Sequence, residues 1–316
     1  MKQNAEPLSA HIMESTLLQP AIQAWKFYLR DQGRSHHTLK AFSADLMLLE
    51  EFLPTDKQIG QISTKDLEDF LEWLEKDRGV PCSPKTLSRR ITSLKSFFRW
   101  LTQNAVLAVD PAEKIVQKTV VSPIPTVLTQ KEYQTALEAA ESIRSSANPD
   151  PRPYTLLLLV LETALKKNEC LNLKTNHLEI ENPDDAYLFV RYPNQRYRYK
   201  ERKISISSEW VKAYQDYAET YQIEDQVFPW SQRRLEYLLE DVTNAARMDK
   251  HISFGMLRWT SALIDLTNGV EQDKIRQKLG VSKIQWREVK TKLRSLAMQN
   301  GYSLPEDEES ADQATT

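Results

Sequence analysis

The chain has 316 residues, 41% hydrophobic and 27% charged, a globular composition with enough length for two cored domains. Its 42 Lys and Arg against 44 Asp and Glu leave a net charge of -2, so a nucleic-acid partner would need local basic patches. Two cysteines without a C-x-x-C pair, a polar first stretch and no long apolar run argue against a zinc site, secretion and membrane insertion, and predict a cytoplasmic protein.

Residues 1–16 read as a polar N-terminal arm. Residues 17–53 then carry two helices, the second with Leu39, Phe42, Leu46 and Leu49 on one face. Ser63 with Asp66 starts a third helix through Leu67, Phe70, Leu71 and Leu74, which stops at Gly79. Ser83-Pro84 starts a fourth, with Leu87, Ile91, Leu94, Phe97, Phe98 and Leu101. Four amphipathic helices with short connections make a small bundle. The fourth also carries Lys85, Arg89, Arg90, Lys95 and Arg99 with no acid among them. Such a run suits a solvated helix face. The lack of interleaved acids and the expected place opposite the apolar stripe also suit phosphate contact.

Periodicity disappears between Ile115 and Val127, where two prolines and β-branched residues predict an extended linker and a domain boundary near 121. Thr129 with Glu132 opens the second domain, taken as residues 122–300. YTLLLLVLETAL is apolar nearly all round, a buried helix. AYLFVRY and RKISIS alternate as strands. Their connection carries Arg191, Arg196, Arg198, Lys200, Arg202 and Lys203 against the single acid Glu201, interleaved with Tyr192, Tyr197 and Tyr199. It suits either a charge-protected edge hairpin or a nucleic-acid contact. Helices follow over 208–220 and 231–247, and further helices over 251–294. Residues 301–316 hold five acids and no Lys or Arg, an acidic tail of disordered composition.

Several stretches resemble one family. SHHTLKAFSADLMLLEEFL and SPKTLSRRITSLKSFFRWL resemble the core-binding domain of the tyrosine recombinases, the phage-integrase and Xer-like family. TALKKNECLNL resembles its T-G-L-R-x-x-E word, with Lys166 at the arginine. Lys200-Glu201-Arg202 is the best match to the hairpin word that carries a catalytic lysine. The word's proline is absent and the hairpin is long, so a register shifted by two residues stays open. The stretch from His251 to Arg294 resembles the family's H-x-x-R-H, "NG(V/A)" and "LGH" frame followed by a tyrosine. Arg258 is in place. Gly255 and Val281 stand at the two histidines and Lys290 at the tyrosine.

The resemblance implies a mainly α fold, a SAM-like four-helix domain followed by an α-rich catalytic-type domain with a small antiparallel sheet. It implies two domains that close round a duplex, and cleavage by a tyrosine oxygen to give a 3′-phosphotyrosyl link. Arginine forks would neutralise the phosphate, and Lys and His would handle protons. Here Arg258, Lys200 and Lys166 keep positive charge at family positions, while Lys290 is protonated at neutral pH and a poor nucleophile. Tyr302, twelve residues beyond Lys290, stands too far along a helix to replace the tyrosine. Trp259 and Trp286 read as packing residues. The expectation is a double-stranded-DNA-binding protein associated with integration or site-specific recombination that does not cleave DNA itself. An active recombinase with relocated residues and a protein–protein scaffold are the alternatives. Partners would be DNA, an active paralogue, or a second copy through the C-terminal segment, with location at the nucleoid. No metal and no cofactor is implied.

Overall fold

The computed structural model describes residues 11–302 apart from residue 121. Most of the proposed N-terminal arm and nearly all of the acidic tail therefore lie outside the described residues. The chain divides into two compact units, one ending at Ser122 and the other starting at Pro123.

The first unit holds α1 (Leu18–Asp31), α2 (His36–Phe52), α3 (Thr64–Lys76) and α4 (Pro84–Gln103). Ser35, Ser63 and Ser83 each accept a backbone N–H from the first turn of the helix that follows. Such a cap contributes about 1 kcal/mol and fixes where each helix begins. Trp25, Leu46, Phe70, Phe97 and Phe98 are fully buried in the shared core. Burying one such side chain contributes roughly 1.5–3 kcal/mol, which is what holds four marginal helices together. Residues 12–17 are tied to this core. Ile12 packs on it, Ile59 N–H donates to the Thr16 carbonyl, and Gly60 N–H donates to the Glu14 carbonyl. The end of the predicted arm is thus docked backbone.

The second unit holds α5 (Gln130–Arg144), α6 (Arg152–Thr163), α7 (Lys167–Leu171), β1 (Leu178–Glu179), β2 (Tyr187–Val190), β3 (Arg202–Ser205), α8 (Ser208–Tyr221), α9 (Gln232–Ala245), α10 (Phe254–Thr267), α11 (Gln272–Leu279) and α12 (Lys283–Gln299). Helix α6 is buried along almost its whole length, as an all-apolar helix must be. The sheet is antiparallel in the order β1-β2-β3, with Val190 opposite Arg202. The short β1 has no counterpart in the sequence reading; two residues are too few to show alternation. The β2–β3 connection contains a 3-10 turn, Gln195–Lys200. A smaller core joins α10, α11 and α12, with Trp259, Trp286, Val281 and Tyr302 packed against it. Among the described residues no helix is long and apolar enough to cross a membrane.

Candidate functional site: a cationic cleft around Glu169

The centre of the site is a carboxylate surrounded by cations. Glu169 lies on α7, with its side chain 3% exposed. Arg202, the first residue of β3, donates one Nη to each of its carboxylate oxygens, at 3.0 and 2.9 Å. The Tyr192 hydroxyl and the Lys166 backbone N–H donate to it as well. Burial alone would push the Glu169 carboxyl up. The Arg202 fork and the Lys166 ammonium outweigh burial and hold it down at about 2.

Lys166 sits at the turn between α6 and α7, where Ala164 adopts left-handed backbone with φ 52°. Its ammonium donates to the Gly280 carbonyl at 3.0 Å and lies 3.7 Å from Glu169. Burial pulls its pKa down, and neighbouring Arg258, Arg202 and Lys200 pull the same way against Glu169, leaving it at about 8. Arg258 reaches in from α10. Its Nε donates to the Ala164 carbonyl at 2.6 Å and an Nη to the Leu279 carbonyl at 2.9 Å. Burial lowers its pKa, yet a guanidinium remains charged at neutral pH.

Gly280 makes this convergence possible. Its φ is +60°, and a Cβ there would fall 2.8 Å from Nη1 of Arg202. Glycine takes the left-handed end of α11 without strain, and a side chain there would push the Arg202 guanidinium aside. The same residue presents its carbonyl to Lys166. Lys200 ends the 3-10 turn with its ammonium 4.9 Å from the Tyr197 ring centre and 5.3 Å from that of Tyr199. Its backbone carbonyl accepts from Arg202 at 3.1 Å, which anchors it beside the cluster.

The sequence-derived residues divide into two groups. The structure brings Lys166, Lys200, Arg202 and Arg258 together around Glu169. It leaves Arg191, Arg196 and Arg198 exposed on the connection, and Lys85 and Arg99 exposed on α4. Lys95, half-buried, donates to the Glu113 carbonyl at 3.1 Å. Two residues expected to face nucleic acid are corrected. The Arg202 side chain is 7% exposed and its donors are spent on Glu169, Lys200 and Lys278. The Arg90 side chain is 11% exposed, with Nη1 3.2 Å from Cys82 Sγ and Nε 3.7 Å from Asp45. Arg89 is half-turned inward, bonded to Asp45 and to the Ala41 carbonyl. Asp45 is buried and also accepts from Ser93 at 2.7 Å, so the two arginines neutralise a charge inside the bundle. The signal was present in the spacing: Arg90 falls three and four residues from Leu87 and Leu94, in phase with the apolar stripe.

The positions where the resemblance places histidines and tyrosine are empty of that chemistry. Gly255 is exposed on the first turn of α10. Val281 packs on the α10–α12 core, and Lys290 is half-buried on α12. Glu169 and Tyr192 are the functional residues whose roles the sequence reading missed. The available signal was Glu169 at the glutamate of the T-G-L-R-x-x-E word, three residues after Lys166.

A helical SAM-like domain followed by an integrase-type catalytic domain is the class this architecture defines. The chain belongs to the phage integrase family: the model described as "Phage integrase family" matches residues 126–288, and "Phage integrase, N-terminal SAM-like domain" matches residues 22–105. It is 31% identical over 165 residues to a tyrosine recombinase of Thermosipho africanus, covering 51% of this chain and 56% of that one. It is 24% identical over 293 residues to the tyrosine recombinase XerC of Pediococcus pentosaceus, covering 89% and 96%. The chain spans about half the length of the first of these relatives. The fold is that of a lambda integrase dimer bound to a COC' core site, with TM-score 0.67, 16% identity and coverage of 87% and 77%. It is also that of XerH bound to a palindromic difH substrate, with TM-score 0.65, 16% identity and coverage of 94% and 82%.

Proposed function

We propose that this chain is a DNA-binding member of its family that acts at a recombination or integration site without cleaving strands itself. One observation carries this reading: Lys166, Lys200 and Arg258 keep the positive charge that would hold a phosphate, while Lys290 stands where the family pattern has its tyrosine. Tyr192 also reaches the cluster, but its hydroxyl donates to Glu169. Burial and the adjacent carboxylate raise its pKa, so its phenolate is disfavoured as a nucleophile. Tyr302 packs against the core of α10–α12. Lys166 and Arg258 remain as donors for a phosphodiester, with Lys200 beside them.

The relatives are named as recombinases, and the structural neighbours above were solved on DNA. A non-cleaving protein of this kind would work beside an active family member or a second copy. The end of α12, where Met298 is exposed, is the candidate contact, and the nucleoid is the expected location.

The test uses a labelled duplex nicked to trap covalent intermediates, run on native and denaturing gels at two salt concentrations. A salt-sensitive native shift with no denaturant-resistant adduct is expected. An adduct that survives denaturation would make the protein an active recombinase with a relocated nucleophile. No shift at low salt would leave a scaffold.

A further inference from the structure

Beside the cation cluster lies a cleft of about 300 Å³ between the 3-10 turn of Gln195–Lys200, the end of α11 and the start of α12. Its lining includes Tyr199, Lys200, Arg276, Gln277, Val281 and Ser282. We propose that this cleft receives a single unstacked nucleobase, with Tyr199 as the stacking ring and Val281 as the apolar wall. The inference rests on the DNA-binding reading above and names what the strand would do once held.

Six observations converge. Tyr199 is 70% exposed, so a face of its ring is open to a stacking partner. The Lys200 ammonium, 5.3 Å from its centre, sits where the phosphate of a stacked nucleotide needs a counter-charge. Arg276 is fixed by Asp273 through Nε at 2.7 Å and by the Val281 carbonyl through Nη1 at 3.2 Å, so the cleft wall is preorganised. Val281 stands where the resemblance puts a charged or hydrogen-bonding ring; an isopropyl group offers an apolar surface to a base instead. Gln277 and Ser282 supply an amide and a hydroxyl of the kind that pair with base edges. The volume is at the lower end of those that hold small organic ligands.

The experiment compares full-length protein on two labelled duplexes at one salt concentration, one fully paired and one with a single unpaired base. The wild type should prefer the unpaired base by about tenfold, within the range for one base stacked on an aromatic ring. Tyr199→Ala should bring the ratio close to one, and Tyr199→Phe should restore it, because stacking needs the ring and not the hydroxyl. A base analogue that fluoresces when unstacked, placed at the unpaired position, should be quenched by the wild type and not by Tyr199→Ala. Equal affinity of the wild type for both duplexes, or an unchanged ratio in Tyr199→Ala, would overturn the base-pocket assignment while leaving DNA binding intact. Absence of binding to either duplex would overturn both.

Discussion

Arg202 and Glu169 face each other as a two-pronged ion pair, Nη1 to Oε1 at 3.0 Å and Nη2 to Oε2 at 2.9 Å, with both side chains almost wholly buried. A strand and a short helix are thereby locked together directly beneath the cations of the site. Removing one partner of such a pair leaves an uncompensated buried charge, which costs about 3–5 kcal/mol. Arg202→Ala should therefore lower the unfolding free energy of the second unit, read from urea titrations, by up to that order, and Glu169→Gln in the same chain should recover part of the loss. Stability of Arg202→Ala equal to wild type would end the case for this pair as the brace of the cleft. The acid limb follows from the Glu169 pKa of about 2, below the unfolded value of 4.5. Its stabilisation is fully present above pH 4.5 and is lost as pH falls toward 2.

Lys166, at about 8, titrates near physiological pH. Above that value the ammonium loses its proton, so a phosphate held there loses a counter-charge. DNA affinity should fall between pH 7 and 9 at fixed salt, and Lys166→Arg should flatten that slope because a guanidinium stays charged. The stability sign is the reverse. Between pH 8 and 10.5 the unfolded lysine holds a proton that the folded one has released, so this group's contribution to stability rises with pH in that window. Anisotropy titrations of both proteins on one duplex at pH 7, 8 and 9 decide it; parallel curves would remove Lys166 from the phosphate site.

The positions that depart from the family pattern can be refilled. A Cβ at Gly255 would meet nothing closer than Ser253 Oγ at 3.8 Å, so a side chain fits there. Each missing donor lowers the rate by about 10²–10³-fold in sites of this type. Lys290→Tyr alone should therefore give no detectable covalent adduct on a nicked duplex. Gly255→His, Val281→His and Lys290→Tyr together should give one. Adduct formation by the unmodified chain would show that cleavage never depended on these positions.

Charge on α4 divides by exposure. Lys85 and Arg99 are exposed, so Lys85→Ala and Arg99→Ala should each lower DNA affinity and reduce the salt slope by about one, with unchanged thermal stability. Arg90→Ala should instead destabilise the first unit by roughly 1–3 kcal/mol, because Asp45 would be left buried with only Arg89 and Ser93 as partners. Circular dichroism melts beside the binding curves separate the two effects. A melt unchanged in Arg90→Ala would show that Asp45 is held without it.

Helix starts, the apolar stripes and the buried α6 were legible in the sequence because each is written in residues within one or two helical turns. Ser83-Pro84 and Thr129 with Glu132 act on neighbouring backbone, and spacing alone exposes them. Gly255, Val281 and Lys290 were also legible as absences, since they are read against a frame. What spacing could not supply was the direction of each cation. Arg202 belongs to a charged run of six, yet its donors turn inward to an acid 33 residues earlier. Arg90 pairs with an acid 45 residues earlier. Linear charge counts treat these residues like exposed Arg198. Only the tertiary structure decides which cation meets a buried carboxylate and which meets solvent, because an ion pair depends on distance in space and on the water removed around it.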